Sequence, residues 1–185
     1  MRHSFVRLVL GAALLAAALP ALHAQAQMPP TTEHKHLESE VGVWDAEVQL
    51  WPTADAEPMK SKAVETNKML GKLWLLSDFE GDFGGMKFSG RSQLGYDPTK
   101  KKYVGTWIDT MSPFLQTMEG TYDEKTATST MMATGVDMET GKPTTSKMIT
   151  RYESDDEKIF EIMMPVEGKE GEWWKMMEIK YARRK

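Results

Sequence analysis

The chain has 185 residues and no cysteine. That removes disulfides, thiol nucleophiles and thiolate metal sites together. Histidine is also scarce, with 4 in all, and only His34 and His36 lie beyond the first 26 residues. No Gly-x-Ser-x-Gly elbow occurs, and no glycine-rich loop opens a helix, so acyl-transfer and phosphate-cradling motifs have no context. Positive charge is the minority sign, with 23 Lys plus Arg against 27 Asp plus Glu. A nucleic-acid partner, which needs a basic footprint, is not expected. Helical periodicity is hard to find after residue 40.

The N-terminus supplies the one long apolar run. In MRHSFVRLVLGAALLAAALPALHAQAQ, Arg2 and Arg7 precede an apolar stretch from Leu8 to Leu19, then Pro20 and the small-residue site Ala24-Gln25-Ala26. This is the three-part pattern of a secretory signal over residues 1–26. The run is too short to span a hydrocarbon core of about 30 Å comfortably, so cleavage is expected rather than anchoring. Removal takes two arginines and no acid, leaving 21 basic against 27 acidic residues and moving the net charge from −4 to −6. The expectation is an exported protein, periplasmic or extracellular, with no membrane span after cleavage. Residues 27–36, QMPPTTEHKH, are polar and proline-bearing and are expected to form a flexible leader, with a short helical turn near His36 to Glu40. Residues 37–185 fit one domain large enough to bury a core without disulfides.

Within that domain, alternation with period two dominates. Trp44, Ala46, Val48 and Leu50 share one strand face. Phe88, Gly90, Ser92, Leu94 and Tyr96 share another, as do Tyr103, Gly105, Trp107 and Asp109, and Phe160, Ile162 and Met164. In the last strand Trp173, Met177, Ile179 and Tyr181 share a face that Lys175 interrupts. Turn signals at short, even intervals, such as Asp97-Pro98, Asp123-Glu124 and Gly168 to Gly171, divide the chain into about ten strands. Short links favour neighbouring strands pairing, and closure removes the edges. The fold class expected is all-β, a single antiparallel up-and-down barrel, with a sandwich as the alternative. GYDPTKKKYVG, GTYDEKTATST and RYESDDEKIFE each place a tyrosine ahead of an acid-rich turn and a lysine. The echo is taken as repeated hairpin chemistry, since Asp and Glu bond nearby backbone N–H groups.

Gly42-Val43-Trp44 at the head of the first strand resembles the opening of lipocalin-like barrels. The wider order is Gly42-Val43-Trp44, Phe88 and Gly90, Gly95-Tyr96-Asp97, Tyr103, Trp107 and Asp109, then Thr140-Gly141-Lys142. Over about residues 35 to 182 it resembles a bacterial exported family catalogued as domain of unknown function 1579. The resemblance implies a lipocalin-like barrel whose Trp44 closes one end under a late arginine, Arg151 or Arg183. It brings no catalytic residues. Related small barrels hold haem iron through a strand histidine, and this chain departs from them because both remaining histidines precede the first strand. No cofactor is expected.

Three uses of such a barrel remain open. The first is a non-enzymatic protein binding a small, partly apolar or acidic ligand, with Trp44, Arg91, Tyr103, Trp107, Asp109, Met118 and Arg151 as candidate lining. The second is an enzyme whose inward acids, Asp109 with an arginine, act on a small molecule. The third is an interaction module with a filled interior. His34-Lys35-His36, with Glu33 and Glu38 nearby, is a weak metal pair, and no metal is expected. Methionine is abundant, at 15 residues. The doublets Met131-Met132, Met163-Met164 and Met176-Met177 cannot clamp one ion, because adjacent strand residues point to opposite faces. They are expected to fill core or line a pocket. Oligomeric state is not legible.

Overall fold

The computed structural model describes residues 29–138 and 140–185. The expected signal over residues 1–26 lies outside them. A helix, α1 (Thr32–Ser39), precedes ten strands: β1 (Gly42–Leu50), β2 (Met59–Leu70), β3 (Trp74–Phe83), β4 (Met86–Asp97), β5 (Lys102–Asp109), β6 (Gln116–Asp123), β7 (Thr128–Val136), β8 (Pro143–Tyr152), β9 (Glu157–Pro165) and β10 (Trp173–Arg183). Every strand pairs antiparallel with its sequence neighbours, and β10 returns to β1, closing the barrel. No described helix is long and apolar enough to cross a membrane.

The alternation of the sequence sets which side chains point inward. Trp44 lies opposite Glu65, which lies opposite Phe79, which lies opposite Gly90. Trp44, Ala46, Val48, Ala63 and Phe79 are buried together with Ile179 and Tyr181. A second cluster of Leu37, Leu75, Tyr103, Met131, Ala133 and Met148 fills the α1 end, and Phe160 packs against both. The turns use the acids as expected. Asp97 Oδ1 accepts the Thr99 and Lys100 N–H groups, Asp123 Oδ1 accepts that of Lys125, and Asp137 Oδ1 accepts that of Thr140.

Two expectations are corrected. The leader is not free chain up to residue 36: from Thr32 it is helical, and it runs into the barrel end with His34 and Leu37 buried. Period-based reading misses it because the inward positions of this one short helix are largely histidines. The second correction concerns β10. A bulge between Lys175 and Met177 shifts its phase, so Trp174 lies opposite inward Met164. Trp173 instead faces outward, with Lys147 Nζ 4.7 Å from its ring centre. The interrupting lysine marks this extra residue, which a strict period of two cannot accommodate.

β6 and β7 approach closely at Gly120, where a Cβ would stand 2.0 Å from the Thr130 carbonyl oxygen and 2.6 Å from Met131 Cα. Backbone cannot yield as a side-chain tip does. Gly120→Ala is expected to lower stability by about 1–3 kcal/mol, the range for overpacking, read as a shift in the urea midpoint. An unchanged midpoint would show that the two strands separate freely.

Candidate functional site

The two ends of the barrel differ. The α1 end is sealed by a collar of phenols. Tyr96, Tyr103, Tyr122, Tyr152 and Tyr181, all 5 tyrosines of the chain, sit there at the ends of β4, β5, β6, β8 and β10. His36 enters the collar from α1, stacked on Tyr122 at 3.8 Å and edge-on to Tyr152 at 5.0 Å and Tyr103 at 5.9 Å. His34 lies edge-on to Tyr96 at 6.0 Å. The Tyr103 hydroxyl donates to the Glu33 carbonyl at 3.1 Å, tying β5 to the helix. The histidines expected ahead of the barrel are therefore inside its end, packed against rings.

Beneath the collar lies a buried ionic group. Lys158, on the inner face of β9 and 6 % exposed, pairs with Glu40 and with Glu65 at 3.3 Å. Its ammonium stands 4.4 Å from the Trp44 ring centre and 4.7 Å from that of Tyr181. Glu65 also accepts from the Tyr181 hydroxyl and from Asn67 Nδ2, each at 2.9 Å. The Glu40 carbonyl accepts from Trp44 Nε1 at 3.0 Å and Asn67 Nδ2 at 3.2 Å. Burial alone pushes the Lys158 ammonium down, but Glu65 and Glu40 outweigh it and hold the group above its ordinary value.

Arg183 is the late arginine at Trp44, its guanidinium carbon 4.0 Å from the ring centre. It donates to the carbonyls of Val41 at 2.5 Å and Ser39 at 2.7 Å. Gly42 makes room for it: φ is +140°, and a Cβ would stand 2.8 Å from Arg183 Nη1. That gives the Gly-x-Trp motif a physical reason.

The opposite end is the mouth. Inward Phe83, Phe88, Trp107, Met118, Met164, Trp174 and Met177 are only half-buried there. Trp107 stacks on Phe88 at 6.4 Å and lies over Gly90. The inward residues Ser92, Leu94, Ser146, Thr150, Phe160 and Ile162, farther along the same walls, are also half-buried. Other inward residues of the same strands, Tyr103, Met131, Ala133, Met148 and Lys158, are buried, as are those of β1 and β3 from Trp44 to Val48 and from Leu75 to Phe79. Each methionine doublet sends one member inward: buried Met131 against exposed Met132, Met164 opposite Trp174, and Met177 opposite Ile162.

The candidate residues separate into three places. Trp44 and Tyr103 belong to the sealed end. Trp107 and Met118 line the mouth, with Asp109 at its rim. Arg91 and Arg151 are on the outer wall, Arg91 paired with Asp78 at 2.5 Å and Arg151 with Glu161 at 2.8 Å. Asp109 shares the inner face with Trp107 as expected, but its oxygens are engaged. Oδ2 accepts from Trp107 Nε1 at 2.8 Å, and Oδ1 accepts the N–H groups of Met111 at 2.8 Å and Ser112 at 2.9 Å. It is the clasp of the β5–β6 loop, and among the described residues no inward arginine joins it to receive an acidic ligand. Two open concavities of about 750 and 610 Å³ lie along β1–β4 and β2–β5. Charged outer side chains such as Asp45, Lys62, Glu80 and Arg91 contribute much of their lining. Among the described residues no group of three or more histidines and acids is placed to hold a metal.

Sequence reading missed Lys158 and Glu40. The signal was the phase of Phe160 and Ile162, which, extended back by two places, puts Lys158 on the inner face.

A closed ten-strand antiparallel barrel, plugged at one end by a helix and open at the other, is the class this architecture defines. A model of the family described as "Protein of unknown function (DUF1579)" matches residues 29–183, and the chain belongs to that family. Among solved structures the chain is similar to the crystal structure of Rv2717c from M. tuberculosis. The TM-score is 0.64 at 14% identity, over 85% of this chain and 100% of that one, a likeness of fold. No curated protein matches the chain.

Two predictions follow from the sealed end. Lys158→Met leaves Glu40 and Glu65 buried without their cation and is expected to cost about 3–5 kcal/mol in urea denaturation. A loss under about 1 kcal/mol would mean that water already reaches the pair. All five phenols are held above their ordinary value of 10.0, led by burial. The fold favours the protonated phenol, so this stabilisation is complete below pH 10 and is lost as the pH rises beyond it. In an alkaline absorbance titration, tyrosinate is expected to emerge together with loss of β-sheet circular dichroism. Five phenols ionising near pH 10 with the sheet intact would refute the collar.

Proposed function

We propose that this barrel carries a small, largely apolar molecule, taken up through the mouth opposite α1, and that it does so outside the cytoplasm. The observation that carries the reading is the group of half-buried inward side chains at the mouth, Phe88, Trp107, Met118, Met164 and Trp174. A barrel filled by its own side chains buries those positions, and ten strands enclose a wider interior than the eight that side chains just fill. The lining suits an apolar guest: Trp107, Phe88, Met118, Met164, Trp174 and Ile162 give aromatic and thioether surface, with Ser92, Ser146 and Thr150 as scattered hydroxyls. Ligand pockets are usually of this composition, mostly apolar with few polar groups. Thioethers adapt to irregular shapes, which favours a class of related guests over one fixed shape. The N-terminal sequence supports export.

Titration with a hydrophobic fluorophore such as 1-anilinonaphthalene-8-sulfonate, alongside native mass spectrometry of the purified protein, tests this. Saturable one-to-one binding is expected, weakened about tenfold or more by Met118→Lys, which places a charge on the inner wall at a cost of several kcal/mol unless it is hydrated. Arg151→Ala, on the outer wall, is expected to leave binding unchanged. Absence of saturable binding, or equal loss in both variants, would overturn the reading.

A further inference from the structure

The helix at the sealed end is docked through two imidazoles, His34 in its first turn and His36 among the phenols. His34 is 4 % exposed. Its Nδ1 accepts the Thr31 N–H at 3.0 Å, while the Thr31 hydroxyl donates to Glu33 at 2.5 Å. The Thr31 hydroxyl also lies 3.0 Å from that Nδ1, so both polar groups of Thr31 hold the ring to the first turn of α1. His36 lies flat on Tyr122, at 14° between planes, with Tyr103 and Tyr152 edge-on around it. The charged groups facing it are Glu40 at the end of α1, Lys158 on β9 and Glu124 in the β6–β7 turn. Glu40 is already engaged by Lys158, so it is no free counter-ion. Burial, with Lys158 acting in the same sense, outweighs Glu40 and Glu124 and holds the imidazole below its ordinary 6.5.

The remaining anchors of α1 are few: Leu37, the Glu33 carbonyl on Tyr103, the Glu40 contacts, and the Ser39 and Val41 carbonyls on Arg183. Immediately beyond them stands Gly42 at φ +140°, a backbone state that glycine adopts readily and a natural pivot between helix and barrel.

We propose that α1 is an acid-released plug: protonation of His36 undocks the helix from the tyrosine collar and opens that end of the barrel. A histidine whose folded value lies below its unfolded one stabilises the docked state fully above about pH 6.5, and that stabilisation is lost as the pH falls. Protonation of His36 shifts the equilibrium toward the open form by up to about tenfold per pH unit. The plug acts at the end away from the mouth and does not depend on the identity of any guest.

Hydrogen exchange followed by mass spectrometry on the whole chain, at pH 7.5 and 5.0 with rates corrected for intrinsic chemistry, reads the two parts separately. Peptides covering residues 32–40 are expected to exchange roughly tenfold faster or more at the lower pH, while peptides covering β3–β6 keep their protection. His34→Gln with His36→Phe keeps an acceptor and a stacked ring without a titrating group, and is expected to abolish the response. Equal protection of the helix at both pH values, simultaneous opening of helix and barrel, or a wild-type response in the double variant would each overturn the proposal. If the double variant does not fold, the imidazole carbon resonances of His36 in the wild-type chain decide. They must titrate over the pH range in which the helix amides open, and titration with the helix still protected would overturn the proposal.

Discussion

The closed end depends on Lys158 held between Glu40 and Glu65 against Trp44. Removing three charges from water is costly, and only mutual pairing together with the hydrogen bonds from Tyr181 and Asn67 makes it tolerable. The members come from separate parts of the chain: Glu40 follows α1, Trp44 is on β1, Glu65 and Asn67 on β2, Lys158 on β9 and Tyr181 on β10. The group therefore also fixes register. A one-residue slip of β9 would carry Ile159 inward and Lys158 out, leaving two carboxylates in a dry interior. Apolar side chains alone would tolerate such a slip far better.

Much of the barrel was legible because period two is a local signal. Inward faces in β1, β4, β5 and β9 follow the alternation of Trp44, Phe88, Tyr103 and Phe160 with polar neighbours, and the Asp97 and Asp123 turns behave as their residues dictate. The Gly-x-Trp opening and its late arginine also stand as the resemblance implied, with Arg183 in that role and Arg151 outside. What escaped was non-local. Two of the three echoed segments, at Asp97 and Asp123, show the expected acid-to-backbone hairpin chemistry, while the third bonds through Ser154; the tyrosines of all three, 96, 122 and 152, converge with Tyr103 because alternate turns lie at one end of a meander. No single hairpin shows that convergence. The helix was expected only as a short turn near His36 to Glu40, and its start at Thr32 escaped for a related reason: its docking face is built from His34 and His36, whose affinity for the collar exists only once the collar is assembled. Arg91 and Arg151 were drawn inward by their mid-strand positions, but cross-strand acids on the outer wall hold them there.

The division of residues between the ends suits two tasks. Phenols and ions make the α1 end exacting, since each buried polar atom requires its own partner. Indole, phenyl and thioether groups make the mouth permissive, because dispersion contacts tolerate small changes of shape.

The bulge in β10 has a bearing on how the wall meets its neighbours. The ladder from β10 to β1 begins at Met177 opposite Leu50, with one further bond from the Trp51 N–H to the Met176 carbonyl. Residues Trp173 to Lys175, beyond the bulge, pair with β9. The seam that closes the cylinder thus stops short of the rim, leaving a notch whose flank is a short strand edge. Such an edge invites another chain to add itself as a strand, and the notch is guarded in two recognised ways: by the bulge itself and by an outward lysine. Lys175 lies 5.1 Å from the Trp51 ring centre and pairs with Glu178 and Glu161, so an incoming strand would have to displace a salt-bridged cation. The extra residue that breaks the alternation near the end of the chain therefore also makes this edge a poor template for an added strand.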